Sequence, residues 1–108
     1  MTIEEISELI IDGEEALKSD LYEKQLYVFW EHVKISPEKW EAGDYGKEGG
    51  GFWIVGLYGK NAIWYNDIEE GFNVSSYHTY GTINNYAYEQ YALNQIIYQL
   101  YNSLLKIN

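Results

Sequence analysis

Three carboxylates, Asp67, Glu69 and Glu70, fall inside one short run, Trp64-Tyr65-Asn66-Asp67-Ile68-Glu69-Glu70-Gly71-Phe72-Asn73. Neighbouring carboxylates serve as general acid and base when their surroundings separate their pKa values, and such oxygens also hold hard cations. The spacing here lacks the acidic ladder and central glycine of a calcium loop. Asn66 and Asp67 favour a turn, because their side chains bond nearby backbone, and Gly71 fits a positive φ or a bulge. The run therefore reads first as a strand–turn–strand joint and second as a recognition site.

Other chemistry is thinly supplied. His32 and His78 are the two histidines, far apart in the chain, and no close-spaced ligand pair marks a zinc site. Ser75, His78 and Asp67 make a triad on paper, but no nucleophile elbow surrounds the serine, and near neighbours on a strand point to opposite faces. There is no cysteine, so thiolate catalysis, disulfides and cysteine zinc sites are excluded. The glycines of Glu41-Ala42-Gly43-Asp44-Tyr45-Gly46-Lys47-Glu48-Gly49-Gly50-Gly51 lack the strand before, the helix after and the Lys-Ser/Thr pair of a phosphate loop. These absences predict a protein that is not an enzyme and needs no cofactor or metal.

Charge and aromatic content carry more. The net charge is −10, with 17 acids against 7 bases. Residues 1–54 hold 13 of those acids and 5 bases, residues 55–108 only 4 acids and 2 bases. All the bases are lysine, so bidentate arginine clamps on phosphate are absent, and the balance repels nucleic acid. Four Trp and twelve Tyr exceed what one small core needs. Tyr and Trp beside acids make good protein-binding anchors, since they bury area at low entropic cost. The candidate contact surface is Asn66, Asp67, Glu69 and Glu70 on the turn with Trp40, Asp44, Tyr45 and Glu48 on or beside the glycine-rich loop.

The elements that must position these residues follow from pattern. Length allows one domain with a genuine core. Thr2-Ile3-Glu4-Glu5 is a capping box opening a helix over 3–18, interrupted at Gly13, with Ile6, Ile10, Ala16 and Leu17 inward. Leu26–Ile35, rich in aromatic and β-branched residues, reads as a strand, and Ser36-Pro37 as the start of a helical turn. Residues 41–51 read as a flexible loop. Phe52–Tyr58, Asn61–Tyr65 and Phe72–Tyr77 form a meander through a Gly59-Lys60 hairpin turn and the acidic turn. A last helix runs over 88–106, with Leu93, Ile96, Ile97, Leu100, Leu104 and Leu105 at helical spacing. The predicted fold is α+β: a four-stranded antiparallel sheet with both terminal helices on one face, the other face left to solvent or a partner. The acidic N-terminus and the lack of a membrane-length apolar run argue against a signal peptide or membrane span and point to the cytoplasm.

The runs Gly50-Gly51-Phe52-Trp53-Ile54-Val55 and Ile63–Asn73 are similar to those of a group of small acidic bacterial proteins of little assigned function, over roughly residues 28–100. In size, acidity and layout the chain also resembles the immunity proteins of bacterial polymorphic and contact-dependent toxin systems. That resemblance implies a single-domain inhibitor that binds a basic toxin, often a nuclease, and blocks its active site; it assigns no residue a role. Together these features predict an acidic protein that sequesters a basic partner, the alternatives being a small-molecule-binding or structural module and, last, a small hydrolase.

Overall fold

The predicted capping box forms in full. The Glu5 amide donates to Thr2 Oγ1 at 3.1 Å and the Thr2 amide to Glu5 Oε1 at 2.9 Å, so two of the orphan donors at the start of α1 (Ile3–Lys18) are satisfied. A computed structural model describes residues 1–21 and 23–105. In it α1 continues unbroken through Gly13, which is buried with Ile6 and Leu17, while Ile10 is half-buried and Ala16 stays exposed. The reason for glycine is contact: a Cβ at position 13 would lie 2.5 Å from Leu93 Cβ.

The expected strand at 26–35 is instead a helix, α2 (Lys24–Val33). Leu26, Trp30 and Val33 are buried at the i, i+4, i+7 spacing of one helical face, whereas Val28 is 54% exposed. Positions 26 and 30 satisfy a period of 2 as well as 3.6, and the strand-favouring composition masked the longer one. The first strand lies further on. β1 (Lys34–Trp40) takes in Ser36 and Pro37, which begin no helical turn. Proline is tolerated because β1 is an edge strand whose register against its neighbour shifts between Lys34 and Glu38.

The remaining strands are β2 (Phe52–Tyr58), β3 (Asn61–Asn66) and β4 (Gly71–Ser76), giving an antiparallel meander in the order β1-β2-β3-β4. Alternation divides the side chains between two faces. Val55, Ile63, Tyr65 and Phe72 face the three helices and pack with Ile6, Leu17, Trp30, Leu93 and Ile97. Phe52, Ile54, Ala62 and Trp64 face the other way.

That second face is covered, contrary to the open surface expected from the sequence. Residues 77–91 run back across it, and Tyr77, Ile83, Tyr86 and Ala87 join Trp40 and Trp64 in a second apolar cluster. The last helix, α3, is accordingly shorter at its start than expected, Leu93–Leu105; the expected end at 106 lies outside the described residues. Asn73 holds the preceding segment extended: its Nδ2 donates to the Glu89 carbonyl at 3.0 Å and its Oδ1 accepts from the Glu89 amide at 2.9 Å. The Phe72 amide then donates to the Tyr91 carbonyl at 2.8 Å. This close approach explains Gly71, where a Cβ would sit 2.3 Å from Gln90 Cα. Among the described residues, no helix is long and apolar enough to cross a membrane.

Gly13→Ala sets two effects against each other. Alanine favours a helix over glycine by about 1 kcal/mol, but overpacking a close contact costs about 1–3 kcal/mol, and 2.5 Å is far inside van der Waals contact. A net loss of stability in urea unfolding is the expected outcome; a gain would show that Leu93 and α3 retreat freely from α1.

Candidate functional site

The acidic turn between β3 and β4 is built on Asn66, which is completely buried. Its Oδ1 accepts from the Ile68 amide at 3.0 Å and the Glu69 amide at 3.1 Å, an Asx turn. Its Nδ2 donates to the Tyr86 hydroxyl at 2.8 Å and the Ala87 carbonyl at 3.0 Å. Asn66 is thus a turn-forming residue and not part of a contact surface. Glu70, at φ 58°, supplies the left-handed residue that lets the chain enter β4. The sequence placed that demand on Gly71, which is needed for space instead.

Residues 41–51 are folded tightly rather than left as an open loop. The Glu41 amide donates to the Gly81 carbonyl at 2.9 Å, and the Gly51 amide to the Gly46 carbonyl at 2.9 Å. Gly46 has φ 71° and a Cβ there would come 2.7 Å from the Phe52 ring. Lys39 donates to the Gly49 carbonyl, and Lys47 pairs with Asp44 at 3.1 Å.

Loop and turn meet. Asp44, Tyr45, Lys47 and Glu48 from the loop and Asp67 and Ile68 from the turn line one groove of ≈ 530 Å³. The structure therefore brings Asp44, Tyr45, Glu48 and Asp67 together, residues that the sequence nominated from separate segments. Tyr45 is 52% exposed and lies flat on Tyr86, ring centroids 3.8 Å apart at 13°. Ile68 is 57% exposed. Sequence reasoning passed over it, although an isoleucine between Asp67 and Glu69 in a turn is itself a signal, since turns rarely bury such a side chain.

Three nominated residues do not line this groove besides Asn66. Trp40 is only 2% exposed, its indole donating to Glu38 Oε1 at 2.8 Å and its ring set edge-on to Tyr77 at 4.9 Å. It is a core residue of the second face, not an exposed anchor. Glu69 and Glu70 stand on the turn outside the groove wall, Glu69 half-buried and Glu70 exposed.

The turn's charge is felt nearby. The Tyr65 phenol is pushed above its ordinary pKa by burial first and then by Glu70 and Asp67. The Met1 amino group lies 3.7 Å from Asp67 Oδ2. Elsewhere, Ser75 is buried and fully engaged, accepting from Trp64 Nε1 at 2.9 Å and donating to the Asn85 carbonyl at 2.7 Å, so its hydroxyl is a structural bridge. His32 Nδ1 lies 2.8 Å from the Val28 carbonyl on α2, and His78 is exposed. Among the described residues no three His, Asp or Glu side chains gather as metal ligands.

Compared with protein-family models, with curated proteins and with solved structures, the chain matches none.

Asn66→Ala removes four bonds and leaves the Ala87 carbonyl and two turn amides without their partner. Leaving buried polar groups unpaired costs about 1–3 kcal/mol, so the urea midpoint is expected to fall accordingly. Exchange of the Ile68 and Glu69 amides should accelerate well beyond the global effect. With Asn66 intact, replacing Asp67 and Glu70 by Lys should lower the Tyr65 titration midpoint, read by NMR of the ring; an unmoved midpoint would show that the turn's charge does not reach Tyr65.

Proposed function

We propose that this chain is a binding protein that sequesters a basic protein partner through the loop–turn groove, in the manner of an immunity protein neutralising a toxin domain. One observation carries it: Asp44, Glu48 and Asp67 line a single groove that also exposes Tyr45 and Ile68. Carboxylates lining one groove raise the local concentration of a cationic partner and speed its arrival. Two apolar side chains at the same place supply the desolvated contacts from which affinity comes.

The support is also energetic. Tyr45 is held by its stack on Tyr86, and the turn is fixed by Asn66, so little ordering remains to be paid on binding. Lys47 stays ion-paired to Asp44 across a fully solvated contact, 98% exposed on the aspartate, and such pairs exchange partners at almost no cost. On this proposal Asp67, Glu69 and Glu70 present charge, and no bond is made or broken at them. A cytoplasmic site of action belongs to the same proposal, since a chain without cysteine needs no oxidising compartment.

The test is capture of a partner from native lysate with the folded protein, followed by titration of the purified pair at low and high salt. The captured protein should be basic, and its association should slow with salt. Asp44→Lys, Glu48→Lys and Asp67→Lys together should slow association by about tenfold or more. Tyr45→Ala and Ile68→Ala should instead speed dissociation, each by about tenfold. An acidic partner, or an affinity indifferent to all five changes, would remove the groove from the function. Turnover of any substrate that Asp67→Asn abolishes without unfolding the protein would replace binding by catalysis.

A further inference from the structure

We propose that a second groove, between α1 and β1, docks an amphipathic, lysine- or arginine-rich helix of a partner protein. The groove holds ≈ 470 Å³, and Ile10, Ile11, Ile35 and Pro37 give it apolar walls with Trp30 beneath them. Ile3, two turns earlier on α1 and outside the groove's lining, is 40% exposed, and Ile11, on the groove's outer bank, is 55% exposed. Nothing within the fold requires it: the same helix buries Ile6 and Leu17 on its other side.

The charge on that bank names the occupant. Helical geometry sets Glu4, Glu8 and Glu15 in a column beside Ile11, with Asp12 next to it. All four are exposed, and among the described residues no cation pairs with them. Like charges three or four residues apart on a helix repel. A partner whose apolar ridge enters the groove and whose cationic flank lies over this column relieves that repulsion and covers the isoleucines at once.

The form of the occupant follows from the other bank. β1 is an edge strand, and edges invite strand addition. Here Pro37 has no N–H to offer and the β1–β2 register is irregular between Lys34 and Glu38, so the edge is a poor template for another strand. Recognition falls to side chains, and a helix presents apolar anchors at i, i+3, i+4 and i+7 to such a groove. Lys34 does not bar a cationic flank, since it is already tied to Glu31 at 2.9 Å and to Glu14 at 3.5 Å. The inference uses none of the residues of the loop–turn groove and stands or falls separately.

The experiment titrates the isotope-labelled full chain with a synthetic leucine–lysine amphipathic helix of about five turns, and with the same peptide carrying glutamate for lysine. Saturable shifts at Ile10, Ile11 and Ile35 with the lysine peptide, and none with the glutamate peptide, are expected. Ile11→Ser, which changes no charge and sits at an exposed position, should weaken binding by about tenfold without moving the unfolding midpoint. Charge reversal at Glu4, Glu8 and Glu15 should weaken it by a similar factor and flatten its salt dependence. Shifts confined to residues 44–48 and 67–68, affinity untouched by Ile11→Ser, or equal binding of the glutamate peptide would overturn the proposal. So would concentration-dependent self-association that Ile11→Ser abolishes, since the occupant would then be a second copy of this chain.

Discussion

Asn66 bonds in two directions at once, and most of the architecture around the loop–turn groove depends on it. One side-chain oxygen shapes the acidic turn by accepting from the Ile68 and Glu69 amides. The amide nitrogen reaches across the sheet face to Tyr86 and Ala87. Tyr86 in turn carries the stacked ring of Tyr45. Asp67 and Ile68 on one wall and Tyr45 on the other are thereby set by a single buried amide. An aspartate could accept the same two backbone donors, but when ionised it would have no proton for the Ala87 carbonyl.

Asn66 is the end of a longer device. Asn73 and Ser75, on the neighbouring strand, likewise bond the backbone of the returning segment, at Glu89 and Asn85. Polar side chains on a buried sheet face cost stability unless every donor and acceptor is matched. Here the matching partners are backbone groups of a segment that forms neither helix nor regular strand over most of its course and would otherwise bury its own amides unpaired. Each solves the other's problem. Among the described residues, no buried side-chain nitrogen or oxygen lacks a partner. The second apolar cluster, with Trp64 fully buried at its centre, closes only because this exchange lets an irregular strand of chain lie on the sheet.

What could be read from the sequence follows from how local each signal is. The capping box at Thr2 and Glu5, the β2–β3–β4 meander and the apolar stripe of α3 are patterns within a few residues, and each is present. The α2 segment misled because Leu26 and Trp30 fit both periods and the surrounding Tyr, Val and Phe favour strands; burial of Val33 with exposure of Val28 marks the helical period, and the Trp30 indole meets its partner Glu14, sixteen residues away, only in the folded chain. The covering of the second face was illegible for a similar reason. Asn73 and Glu89 meet only once the fold is made, and nothing in residues 86–91 alone marks them as a cover. Trp40 looked like an anchor because it borders the acidic loop, yet edge-strand alternation turns it inward onto Tyr77. Asp44, Tyr45, Glu48 and Asp67 come from two separate segments that the sequence assigns to one contact surface, and their convergence is a property of how the loop folds back on Phe52.

The distribution of charge separates what the fold uses from what it leaves over. Glu5 closes the helix cap, Glu14 accepts from Trp30, Glu38 accepts from Trp40 and Tyr80, and Glu31 holds Lys34. These carboxylates each answer a specific donor. Glu4, Glu8, Asp12, Glu15 and Glu48 answer none among the described residues, and Asp44 touches only a solvated lysine. A net charge of −10 on one small domain works against compactness through self-repulsion, so acids without a structural partner are a standing cost to folding. Those on α1 lie beside Ile11, and Asp44 and Glu48 lie beside Tyr45 and Ile68, at two grooves where apolar side chains are exposed. Solubility alone would be served by acids anywhere on the surface. On the proposed binding role, acids set beside uncovered apolar area would attract a cationic protein and then hold it.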